Sequence, residues 1–90
     1  MLFRSTVSAA QINLGSTVSV KASATGGAGN YTYAVYYKQQ SQSKWTSKQD
    51  FTKNTAVSIK PAKATDYDIC VKVKDGNGNI EKKYFELTVK

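Results

Sequence analysis

The residues able to do chemistry are few. The ninety-residue chain has no histidine and one cysteine, Cys70. A Ser–His or Cys–His arrangement needs an imidazole to move the proton, the usual zinc sites need His or several thiolates, and a dithiol redox pair needs a second Cys. Lys72 would lower the Cys70 thiol pKa if both faced outward, but with no base or resolving partner the thiol reads as incidental. Of six carboxylates only Asp66 and Asp68 lie close in sequence. A glycosidase pair holds its carboxyls about 5–9.5 Å apart across a cleft, whereas these two flank a tyrosine at the start of a strand and are expected to cap the turn or face water. The sequence therefore predicts no catalytic residue, no cofactor and no enzymatic activity.

Three patterns remain as candidates for binding. In Asp75-Gly76-Asn77-Gly78-Asn79, oxygen-bearing side chains alternate as they do in a calcium loop. The run joins two strands rather than two helices and lacks a bidentate Glu at its twelfth position. Asp75, Asn77 and Asn79 are thus weak calcium candidates, and tight-turn chemistry accounts for the same residues. Gly26, Gly27 and Gly29 suggest a phosphate cradle, but no Gly-Lys-Ser/Thr follows and no helix begins there. The aromatic residues number ten, six of them Tyr. In Tyr31–Lys38, the side chains of Tyr33, Val35 and Tyr37 share a face assigned to the core, so Tyr36 points out. If the third, sixth and seventh strands are neighbours, Tyr36, Lys72 and Tyr84 share an exposed face. With Trp45 they form a candidate surface for a glycan or a host protein; scattered tyrosines on a spacer are the alternative.

A net charge of +7 and a pI near 9.6 raise nucleic acid as a partner. Twelve of the thirteen basic residues are Lys, Arg4 being the exception, and none forms a block longer than Lys82-Lys83. Bidentate recognition of bases and phosphates favours Arg. Lysines scattered over solvated strands explain the charge, and nucleic acid is not expected as a partner.

The elements that must position these residues are strands. Apolar residues recur at every second position: Val18, Val20, Ala22 and Ala24; Tyr67, Ile69, Val71 and Val73; Phe85, Leu87 and Val89. The opposite faces carry Ser19, Lys21 and Ser23; Asp68, Cys70, Lys72 and Lys74; and Tyr84, Glu86 and Thr88. Turn signals fall at 26–30, 39–44, 50–54, 60–63 and 75–79. Seven strands follow: about 3–8 (extending toward Ile12 and Leu14), 16–24, 31–38, 43–48, 55–60, 67–74 and 81–89. Seven short strands in one domain, residues 1–90, predict an all-β, immunoglobulin-like antiparallel sandwich. Val18, Val20, Val35, Ile69, Val71, Phe85 and Leu87 are the predicted core. Tyr67, two residues before Ile69, has the placement of a tyrosine corner, whose hydroxyl bonds to backbone just upstream. No stretch is apolar for long enough to span a membrane as a helix, and residues 1–6 lack the apolar run of a signal peptide, so a leader, if one exists, is expected upstream.

Residues 26–38, GGAGNYTYAVYYK, followed by Trp45 and then by TDYDICVKVKDGNGN at 65–79, resemble the immunoglobulin-like or PKD-like modules of Firmicutes surface proteins, including those of triple-tyrosine type. The resemblance covers nearly the whole chain, but its motifs are ones that keep the fold. It implies a non-catalytic structural module, an extracellular or cell-surface address, neighbouring domains of the same polypeptide as partners, and a signal and anchor outside this segment. Cys70 departs from the pattern, standing where such modules usually carry a polar or β-branched residue.

Overall fold

Apolar residues at every second position give each segment one face to bury, and the chain answers with strands. The computed structural model describes residues 2–27 and 29–90; Met1 and Ala28, the latter inside the expected 26–30 turn, lie outside the described residues. In chain order the strands are β1 (Leu2–Val7), β2 (Gln11–Ile12), β3 (Val18–Thr25), β4 (Thr32–Gln39), β5 (Thr46–Thr52), β6 (Ala56–Ile59), β7 (Asp66–Lys74) and β8 (Ile80–Val89). One sheet has the order β1-β3-β6, the other β2-β8-β7-β4-β5. Pairing is antiparallel except at β2, which runs parallel to the end of β8 with Gln11 opposite Thr88 and Ile12 opposite Val89. This is the predicted immunoglobulin-like sandwich, with eight strands among the described residues instead of seven.

The extra strand comes from the first segment, which the sequence reads as continuing toward Leu14. It breaks at Ser8–Ala10 and changes sheets. Ser8 stays with β3, its N–H donating to Ser19 O and its Oγ accepting from Ser19 N–H. Two residues later Ala10 O accepts from Thr88 N–H on β8. Residues this small bring no large apolar group that would hold the crossing to either layer. Leu14 lies beyond the strands and is exposed.

The second departure is β5, expected at 43–48 and found at 46–52, so that the expected 50–54 connection is mostly strand. Its pairing with β4 shifts register between Tyr33 and Val35 and again between Val35 and Tyr36. Such bulges bend an edge strand and interrupt simple alternation. Half-buried Gln49 sits at the irregularity, its Nε2 donating to Tyr33 O at 3.0 Å and Asn54 O at 3.2 Å.

The core lies between the sheets. Val18, Val20, Val35, Ile69, Val71 and Leu87 are buried there as expected, while Phe85 is half-buried at the rim. Tyr67 closes one end. Its ring is buried 6.5 Å from that of Tyr37, and its hydroxyl oxygen accepts from Lys63 N–H at 3.1 Å, the geometry of a tyrosine corner.

Candidate functional site

The outer face of the five-stranded sheet is organised in cross-strand rows, because side chains alternate and the β4-β7-β8 register is unbroken. The middle row reads Tyr36, Cys70, Tyr84. Toward the β7–β8 turn lies Ala34, Lys72, Lys82, and on the other side Lys38, Asp68, Glu86. An aromatic row thus has a basic row on one side and a row holding two carboxylates on the other.

Trp45, in the loop just before β5, folds over this face. Its ring lies 6.2 Å from that of Tyr84 at an interplanar angle of 42°, and Lys38 Nζ stands 5.3 Å from the ring centroid. Lys38 is aimed by Asp68, whose Oδ2 is 3.2 Å from the ammonium and whose Oδ1 accepts from Gln40 Nε2 at 3.1 Å. Lys72 Nζ lies 5.1 Å from the Tyr36 ring centroid, within cation–π range. Tyr36, Trp45, Cys70, Lys72 and Tyr84 line one open cleft of about 220 Å³. All four candidate binding residues, Tyr36, Trp45, Lys72 and Tyr84, therefore meet in one place. Trp45 is 39% exposed and Tyr84 61%, so both rings offer surface to a ligand.

Cys70 lies on the outer face, as the alternation predicts, but it is only 3% exposed. Its neighbours Ile69 and Val71 join the inter-sheet core, and Cys70 does not. Tyr36, Trp45 and Tyr84, large side chains from three segments, roof over it. A small apolar residue is what such a floor requires, and Cys packs as a small hydrophobe. Only the pairing register between strands distant in sequence brings the two tyrosines over the thiol.

Burial pushes the Cys70 thiol above its ordinary value, against the opposing pull of Lys72, the Tyr84 hydroxyl and Lys82. Burial also raises Tyr36, helped by Asp50 and by Cys70 itself. Native Cys70 should therefore react with a disulfide reagent near neutral pH at least about a hundredfold more slowly than in guanidinium, because both thiolate and access are missing. In the folded state the thiol keeps its proton longer than in the unfolded chain. Its contribution to stability is complete below the ordinary value of 9.0 and is lost as pH rises toward the raised folded value. Cys70→Ala should flatten the alkaline fall of the unfolding midpoint, and equal native and denatured labelling rates would show the roof to be open.

Asp75, Asn77 and Asn79, the weak calcium candidates, form a hydrogen-bonded turn. Asp75 is buried, its Oδ1 accepting from the Asn77 and Asn79 N–H groups at 2.9 Å each and its Oδ2 from Asn79 Nδ2 at 3.1 Å. In these contacts Asn77 and Asn79 meet the carboxylate with donor groups. Among the described residues no helix is long and apolar enough to cross a membrane.

Fold and surface together define the class, an all-β immunoglobulin-like sandwich with an aromatic–lysine cleft on its larger sheet. Comparison with protein-family models, curated proteins and solved structures gives no match to this chain.

Proposed function

We propose that this domain is a non-catalytic structural module of a bacterial cell-surface or secreted protein, holding neighbouring domains of one polypeptide apart. The observation that carries the reading is the placement of its two ends. Leu2 pairs with Thr25 beside the loop that meets the β7–β8 turn, whereas Val89 pairs with Ile12 and bonds to Thr65 at the other end of the strands. The body between is 41 Å long and 24 Å by 16 Å across, so a chain running through it gains length along the strand direction. The resemblance of residues 26–38 and 65–79 to Firmicutes surface modules supports the address. Protease shaving of intact producing cells tests it: peptides from residues 2–90 should be released without lysis, and their release only from broken cells would overturn the surface assignment.

A second role, adhesion to a glycan or a host protein, is supported by the convergence of Tyr36, Trp45, Lys72 and Tyr84 on one cleft. Capture of a ligand from a glycan array or host extract should be lost in Tyr84→Ala; retention equal to the parent would remove the cleft from the binding surface.

A further inference from the structure

We infer that the Tyr36–Trp45–Lys72–Tyr84 cleft is a subsite for a single sugar ring bearing a carboxylate, such as a uronic acid unit of an acidic glycan. This inference rests on the adhesion reading and names its ligand. Size comes first. Pockets for drug-sized ligands run to about 300–1,000 Å³, and a cleft of about 220 Å³ takes one ring rather than a chain segment or a peptide. The floor and walls suit a pyranose, which has an apolar C–H face and a hydroxylated rim. Trp45 and Tyr84, tilted 42° apart, form an angled apolar seat.

Charge chooses among sugars. Lys72 lines the cleft and Lys82 is its cross-strand neighbour, so one side of the seat is basic. On the other side Lys38 is already paired with Asp68, and Glu86 stands next to Asp68 across the β7–β8 ladder. A ring seated on Trp45 and Tyr84 with its carboxylate toward Lys72 and Lys82 gains a charge-assisted contact. Its neutral hydroxyls then face the side on which Asp68 and Glu86 stand one row beyond the cleft. The reverse orientation sets carboxylate against carboxylate. The same asymmetry disfavours single-stranded nucleic acid, which stacks bases on aromatic platforms but needs a continuous positive track for its phosphates; here that track ends at Asp68 and Glu86.

Trp45 is the sole tryptophan and lines the cleft, so its fluorescence reports occupancy directly. The whole domain is titrated at fixed ionic strength with digalacturonate, with its methyl ester, and with oligothymidylate. Digalacturonate should give a saturable change, with the methyl ester at least about tenfold weaker, a difference of about 1.4 kcal/mol. Lys72→Gln should weaken digalacturonate about tenfold while Lys72→Arg retains most of the affinity. Lys21→Gln, on the other sheet, should match the parent. Circular dichroism of each variant confirms that it is folded. Equal binding of acid and ester, or an unaffected Lys72→Gln, overturns the acidic subsite while leaving adhesion standing through the neutral ring. Tighter binding of oligothymidylate than of either sugar overturns it in favour of nucleic acid. Silence toward both sugars also overturns the subsite, and the adhesion reading then stands or falls on its own array and capture experiment.

Discussion

Ile69→Ala is expected to lower the unfolding free energy by about 2–5 kcal/mol, the range for large-to-small changes at buried aliphatic sites. Ile69 is 0% exposed. It lies on β7, in the middle of the larger sheet, with Tyr37 opposite it on β4 and Phe85 on β8. Both flanking strands are held to β7 by long unbroken ladders, so the backbone has little freedom to move in and fill the space left by the three side-chain carbons removed. The cavity term therefore adds to the lost transfer energy instead of being relaxed away. Small domains have about 5–15 kcal/mol in total, so the variant should lose a large share of its stability. A urea titration should show a lower midpoint with an unchanged slope, and Ile69→Val should cost only about 0.5–1.5 kcal/mol. A midpoint equal to the parent's would take Ile69 out of the core.

That Ile69 belongs to the core is legible in the sequence, because period-two alternation with one buried face leaves little choice of side. The same rule gives Val18, Val20, Val71 and Leu87, and with β4, β7 and β8 as neighbours it puts Tyr36, Lys72 and Tyr84 on one outer face. It failed where the local pattern carries no weight. Ser8, Ala9 and Ala10 have no large apolar group to mark a change of sheet, so the break between β1 and β2 was hidden. Gln49 is a polar side chain at a half-buried bulge, and alternation reads such a residue as loop. Cys70 is the instructive case. The face it occupies follows from sequence, but its burial does not, because the roof is made by Tyr84, Trp45 and Tyr36, residues 14 to 34 positions away along the chain, one of them in a loop. Asp68 was legible as a surface carboxylate but not as the group that aims Lys38 at Trp45. Each of these depends on long-range register or loop placement, which no local window contains.

Asp75→Ala is expected to be the most damaging change outside the inter-sheet core, costing on the order of 2–3 kcal/mol. Asp75 is 5% exposed, and its carboxylate accepts from the Asn77 N–H, the Asn79 N–H and the Asn79 side-chain amide. The turn is also closed by backbone, with Asp75 N–H donating to Asn79 O and Gly78 N–H to Asp75 O. Removing the side chain leaves donors that were withdrawn from water without an acceptor, a larger penalty than the net value of a hydrogen bond. The effect should spread, because Gly76 N–H donates to Gly29 O at 2.8 Å and ties this turn to the loop after β3. Hydrogen exchange should accordingly rise in Asp75→Ala at residues 76–79 and at the Gly29 loop, while β7 amides near Ile69 keep their protection relative to the global stability. Asp75→Asn, which can still serve both backbone N–H groups through its oxygen, should lose less. Millimolar calcium should leave the parent's midpoint where it is, since the carboxylate faces N–H donors; a rise in midpoint that disappears in Asp75→Asn would instead make Asp75 a metal ligand and the turn a binding loop.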